Sequence, residues 1–161
     1  MPIYLILHNI RSLHNVGSIF RTADAMGVEK IYLTGYTPNP YDFFGKIRKD
    51  FQKTALGAEK FVEWEKVKNI GVLIKKLKKE KIFIASLEQS KNSVPLNKHP
   101  LSDQVAKWGI ALILGNEIRG IPKSVLQKAD AILEIPMRGK KESLNVSVAT
   151  GIALWEISNK R

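Results

Sequence analysis

The sequence predicts an α/β fold, a single domain built on a mainly parallel sheet. Three observations carry that expectation. Short, continuously apolar runs alternate with segments of helical period, the pattern of strands covered by helices on both faces. The length, 161 residues, suits one domain and lets the chain bury roughly two thirds of its unfolded surface. No internal repeat, low-complexity stretch or linker divides it.

The elements follow in order. Ile3–Leu7 (IYLIL) reads as a strand. Val16–Met26 reads as a helix, with Val16, Ile19, Phe20, Ala23 and Met26 on one face and Gly27 as its stop. Lys30–Thr34 is the next strand, and residues 36–57 are turn-rich and basic, with a short helix near Asp50–Leu56. Phe61–Trp64 is a candidate strand. Val67–Lys79 is an amphipathic helix whose Val67, Ile70, Leu73, Ile74 and Leu77 oppose lysines. Strands are predicted at Ile82–Ser86 and Ile110–Leu114, joined by a proline-containing connector. A short helix at Pro122–Lys128, a strand at Ala131–Ile135 and a helix from Leu144 to Ser158 complete the chain.

Composition narrows the chemistry. There is no cysteine, which excludes disulfides, thiolate zinc sites and cysteine nucleophiles. His8, His14 and His99 lie at no metal-ligand spacing, so no metal is expected. The apolar runs, Val72–Ile74 and Ile110–Leu114 among them, are far too short to span a bilayer. The N-terminus lacks a basic export signal, and a cytoplasmic protein without a membrane partner is expected. Lys plus Arg number 26 against 15 Asp plus Glu, a net charge of +11 and a pI near 9.9. Lys46–Lys81 holds twelve basic and five acidic residues, hence +7 of that excess. Such a balance suits a polyanion, most often a nucleic acid, because each phosphate contact releases counterions. The lysines of Lys75–Lys81 are read as a solvated helix face.

In open parallel sheets, ligands bind beyond the carboxyl ends of the strands. Three strand ends carry polar clusters: His8 to Asn15 with Arg21 in the following helix, Gly115 to Pro122, and Pro136 to Asn145. Their convergence would make one crevice. Each residue also has a plainer use. Asn15 suits a helix N-cap, Arg21 a surface ion pair, and Glu117 an ordinary loop acid, while Ser143 and Asn145 suit caps of the last helix. No G-x-G-x-x-G follows the first strand and no P-loop lysine pattern is present, which disfavours a dinucleotide dehydrogenase or an ATPase.

The segments NVGSIFRTADAMGV (Asn15–Val28), LILGNEIRGIP (Leu112–Pro122) and IPMRGKKESLNVSVATGIALWE (Ile135–Glu156), in this order, resemble the three motifs of the SpoU/TrmH family, the SPOUT-class RNA ribose 2′-O-methyltransferases. The resemblance runs from about Ile3 onward and implies a minimal catalytic domain without an RNA-binding extension. It implies a SPOUT-type fold with a C-terminal deep trefoil knot, S-adenosylmethionine (AdoMet) as methyl donor, and a homodimer whose sites draw on both protomers. It places the cofactor against Leu87, Glu88, Gly115, Asn116, Gly120, Ile135, Met137, Ser143 and Leu144, although SLEQSKN around Leu87 departs from the family pattern. It places Arg21 at the target hydroxyl, with Asn15 and Glu117 fixing its guanidinium and with Ser143 and Asn145 lining the cofactor and hydroxyl side. A guanidinium stays protonated at any working pH, so Arg21 is expected to orient and stabilise charge rather than accept a proton.

An RNA surface is expected from charge mixed with aromatic rings: Lys46, Arg48, Lys49 and Lys53 beside Tyr41, Phe43 and Phe44. Core or dimer packing is the competing use of Phe43, Phe44 and Phe51. Arg11 and Arg138 to Lys141 flank the crevice and suit phosphates. The leading reading is methylation of a ribose 2′-hydroxyl in tRNA or rRNA. A noncatalytic RNA-binding protein retaining the fold is the alternative, and a base-methylating SPOUT enzyme is a third.

Overall fold

The apolar runs pair into one seven-stranded sheet. In the computed structural model, which describes residues 1–100 and 102–160, the strands are β1 (Ile3–His8), β2 (Lys30–Thr34), β3 (Glu63–Val67), β4 (Phe83–Leu87), β5 (Val94–Pro95), β6 (Ile110–Leu114) and β7 (Ala131–Glu134). Their order is β3-β2-β1-β6-β4-β7-β5, and every pairing is parallel. Leu7 lies beside both Leu33 and Leu114, and Leu87 beside Leu133. The strand ends are therefore nearly level, and the loops that follow them open on one edge of the sheet.

The helices are α1 (Leu13–Ala25), α2 (Lys49–Ala55), α3 (Ile70–Lys79), α4 (Asp103–Trp108), α5 (Lys123–Leu126) and α6 (Val146–Ser158). Side chains alternate across a strand, so β6 sends Ile110, Leu112 and Leu114 to one core and Ala111 and Ile113 to the other. The first core packs against α1, α2, α4 and α6, and the second against α3 and α5. Helices thus cover both faces, as a parallel sheet of buried strands requires.

Several boundaries differ from expectation. Helix α1 begins at Leu13 rather than Val16, because Ser12 caps it by accepting the amide of Asn15. Asn15 is therefore not the cap, and its side chain is free for other partners. Val67 belongs to β3, and α3 starts only after Asn69, whose side chain accepts the Val72 amide. The candidate strand at Phe61–Trp64 lies two residues later, and Phe61 is largely exposed. The connector after β4 contains β5 and α4, neither of which was foreseen. Of the aromatic residues with competing readings, Phe51 is fully buried and meets Phe20 edge-on at 5.1 Å, whereas Phe43 and Phe44 are 96% and 85% exposed.

One contact limits what α1 tolerates. A Cβ built on Gly17 would lie 2.1 Å from Thr54 Oγ1 and 2.5 Å from the Phe51 carbonyl oxygen. Glycine is needed there for close approach to α2. Gly17→Ala is expected to lower stability by about 1–3 kcal/mol through overpacking, which chemical denaturation would measure.

Candidate active site

Four strand ends build the site: those of β1, β4, β6 and β7. The loop after β6 is shaped by Asn116, which is buried. Its Oδ1 accepts the amides of Ile118 (2.9 Å) and Arg119 (2.8 Å), and its Nδ2 donates to the Asn9 carbonyl (2.9 Å) and to Tyr36 Oη (3.0 Å). Gly120 closes the turn at φ +68, where an added Cβ would lie 2.2 Å from Glu88 Oε2. That same carboxylate oxygen accepts the Ile121 amide at 2.9 Å. The SLEQ segment that departs from the family pattern thus supplies the group that fastens the β4 end to the β6 loop.

Glu117 joins three segments. Its carboxylate accepts the backbone amides of Arg11 and Ser12 at 3.0–3.1 Å and the Asn15 side-chain amide at 3.2 Å. Asn15 Oδ1 accepts in turn from Asn145 Nδ2 at 3.1 Å, and Asn145 Oδ1 accepts the amide and hydroxyl of Ser147. Asn145 therefore caps α6 and also reaches across to α1. The predicted Asn15, Glu117 and Asn145 form one polar chain. Arg21 is not part of it. It lies six residues beyond Asn15 on α1, is exposed, and has no side-chain hydrogen bond or ion pair among the described residues.

Burial alone would raise the Glu117 carboxyl, but the hydrogen bonds from Arg11, Ser12, its own amide and Asn15 outweigh it and hold the group below its ordinary value. A depressed folded pKa contributes stability above the ordinary carboxylate pKa of 4.5, and that contribution fades as pH falls through the folded value. Glu117→Gln is therefore expected to cost about 1 kcal/mol at neutral pH. The gap from wild type should close in strong acid, when denaturation curves are compared across pH.

A cavity of about 530 Å³ lies beside this polar chain. All nine residues expected at the cofactor line it: Leu87, Glu88, Gly115, Asn116, Gly120, Ile135, Met137, Ser143 and Leu144. Glu117 lines it too, as do Gln89, Lys123 and Glu134, which sequence reasoning did not single out. Gln89 ties two walls together by donating to the Glu142 carbonyl at 2.8 Å, and Ser93 Oγ donates to Glu134. The walls combine apolar side chains with bare glycine backbone and carboxylates. That is a fitting lining for a flat heterocycle linked to a cationic centre. Among the described residues no group of three or more His, Asp or Glu is placed to hold a metal, and no helix is long and apolar enough to cross a membrane.

The basic residues are dispersed. Lys46, Lys49 and Arg138 are exposed, Arg48 donates through Nε to the Tyr41 carbonyl, and Lys53 faces Asp50 at 3.8 Å. Arg11 lines a second cavity of about 560 Å³ with Tyr36, Pro38, Asn116, Ile118 and Arg119. Tyr36 and Pro38 lie in none of the three motifs, but they follow the carboxyl end of β2, where the strand-end rule places ligand-binding residues.

The chain aligns with known proteins along nearly its whole length. The Escherichia coli (strain K12) 23S rRNA (guanosine-2′-O-)-methyltransferase RlmB is 32% identical over 160 residues, covering 99% of this chain and 61% of RlmB. The curated relatives it matches are longer, and the chain spans about three fifths of their length. The A. aeolicus TrmH/SpoU tRNA modifying enzyme superposes with a TM-score of 0.82 at 31% identity, covering 99% of this chain and 75% of that one. An AdoMet-bound rRNA methyltransferase from Sinorhizobium meliloti superposes at 0.85 with 27% identity, over 98% of this chain and 56% of that one. The SpoU rRNA Methylase family model matches residues 2–155. With residues of the second and third motifs lining one cavity, Asn15 of the first donating to Glu117 at its wall, and the family match running almost from end to end, the chain belongs to the SpoU rRNA methylase family.

Proposed function

We propose that the chain is an AdoMet-dependent RNA methyltransferase that methylates a ribose 2′-hydroxyl in tRNA or rRNA. The observation that carries this is the Glu117–Asn15–Asn145 chain of hydrogen bonds standing beside a cavity that fits the methyl donor. Leu87, Ile135 and Leu144 would enclose the adenine, and Gly115 and Gly120 leave main-chain groups accessible to it. When bound, AdoMet supplies an electrophilic methyl group on a sulfonium, so the protein's task is mainly alignment and charge. Asn15 and Asn145 orient each other next to Glu117, which lines the cavity and holds the α1 entry in register. Arg21 is a permanently protonated donor for the alkoxide that develops on the ribose or for a neighbouring phosphate.

The same proposal includes a homodimer. Helix α6 exposes Val148 (50%), Ile152 (41%) and Trp155 (62%) as a stripe at helical spacing, an apolar face of the kind that marks an interface. Arg21 neighbours this face, since Thr22 abuts Gly151 of α6. A second copy seated there would receive Arg21 at its own site, which accounts for an arginine lacking partners within its chain. The expected trefoil knot also belongs here. It is supported by β7, which is inserted between β4 and β5, so that the chain leaving β7 must pass the β4–β5 connection. A cytoplasmic location is part of the same proposal.

The test is transfer of labelled methyl from AdoMet to separate tRNA and rRNA pools, followed by digestion to nucleosides. Label on a ribose 2′-oxygen in one pool is expected. Label on a base, or AdoMet binding with no transfer to any RNA, would overturn the reading.

A further inference from the structure

The second cavity points to a site that the motifs do not name. It lies across the Gly115–Gly120 loop from the first, and Asn116, Ile118 and Arg119 line both. Its aromatic wall is Tyr36, which is 56% exposed yet held at both ends. The Tyr36 amide donates to Asn9 Oδ1 at 3.1 Å, and its hydroxyl accepts from Asn116 Nδ2 at 3.0 Å. Asn9 adopts φ +58 to present that oxygen, and a Cβ on Gly35 would fall 1.8 Å from it. Left-handed backbone at a non-glycine residue is uncommon and marks a place where the surroundings impose it. The result is a ring fixed in place without being buried in the core.

Two guanidinium groups complete the wall. Neither Arg11 nor Arg119 has a side-chain hydrogen bond or an ion pair among the described residues. The oxygens of Glu117, two residues before Arg119, already accept the amides of Arg11 and Ser12 and the side chain of Asn15. Pro38 and Ile118 add apolar surface. An arginine fork suits phosphate oxygens, and a fixed aromatic ring suits the face of a base. A volume of about 560 Å³ lies within the range of small-molecule sites.

We propose that this cleft seats one nucleotide of the RNA strand next to the methylated one, with its phosphate between Arg11 and Arg119 and its base on the Tyr36 ring. The proposal rests on the methyltransferase reading, because it is the RNA carrying the target hydroxyl that extends from one cavity into the next. It assigns Tyr36 and Arg119 to RNA binding and gives Arg11 a specific neighbour. Stacking is tolerant of base identity, so the cleft adds affinity and register more than sequence choice.

The test uses the full chain and variants at two residues, Arg11 and Tyr36, that do not line the cofactor cavity. Arg11→Ala and Tyr36→Leu should each weaken binding of a short single-stranded RNA about tenfold by fluorescence anisotropy, with AdoMet affinity and melting temperature unchanged in Arg11→Ala, whose side chain has no partner to lose among the described residues. Tyr36→Phe keeps the ring and should bind like wild type, which separates stacking from the hydroxyl contact. A nucleoside 5′-monophosphate should compete with the RNA better than inorganic phosphate does. RNA affinity indifferent to Arg11→Ala and Tyr36→Leu, or no RNA binding by the wild type, would overturn the cleft. If methyl moves to RNA but these variants bind it normally, only the cleft fails. If RNA binding depends on Tyr36 but no methyl moves, the cleft stands and the methyltransferase reading falls.

Discussion

Arg21→Ala is expected to reduce methyl transfer by at least about 100-fold, the cost of removing one preorganised donor from a developing oxyanion, while leaving melting temperature and AdoMet affinity unchanged. The side chain is exposed and has no hydrogen bond or ion pair among the described residues, so truncating it removes no contact the monomer uses. Arg21→Lys keeps the charge without the planar fork and should recover only part of the rate. A mixing experiment then tests where the arginine acts. Arg21→Ala and Asn145→Ala chains are each expected to be inactive alone. If one protomer lends Arg21 to the site holding the other's Asn145, half of the mixed dimers are hybrids with one intact site of two. About a quarter of wild-type activity should then return. No recovery on mixing would mean that each site is contained in one chain.

Gly115→Ala is expected to weaken AdoMet binding by about 100-fold. A Cβ at this position would lie 2.6 Å from the Gly120 carbonyl carbon, 2.6 Å from Ile121 Cγ1 and 2.7 Å from the Ile121 amide nitrogen. Two of these are backbone atoms, so relief requires the Gly120–Ile121 peptide to move by most of an ångström. That peptide is also where Glu88 fastens the β4 end, and the displacement would spread to both walls of the cavity. Misplacement on this scale is enough for such a loss. Isothermal calorimetry would read it directly. A variant with wild-type affinity would show that the cofactor does not use this wall.

The parts of the fold legible in the sequence are those where one local signal was strong. IYLIL and IALIL could only be buried strands, and α3 showed a clean apolar face against lysines. The start of α1 was misread because Ser12 and Asn15 are both cap-forming residues, and only the tertiary partners of Asn15 decide between them. Strand β5 is two residues long, and α4 buries only Val105; neither is long enough to display a period. The site divides similarly. Asn15, Glu117 and Asn145 stood at strand ends and were found together. The role of Glu88 as a fastener was invisible, because it depends on Gly120 being adjacent in space. Tyr36 is placed by Asn9 and Asn116, which lie 27 and 80 residues away in sequence, so no local pattern announces it.

The insertion of β7 between β4 and β5 has a consequence for synthesis on the ribosome. Translation proceeds from the N-terminus, so β4 and β5 are made before the strand that will lie between them. Until Ala131–Glu134 emerges, those two strands have no hydrogen-bonded neighbour on their facing edges, which are open to pairing with another nascent chain. Ile135, Met137 and Leu144, which wall the cavity, arrive later still. At 5–20 residues per second, the stretch from β7 to the end of α6 takes about 1–6 s to make. For that interval the polypeptide carries most of its sheet and no complete cofactor pocket, so methyl-donor binding reports on newly made molecules as a timer of finished assembly.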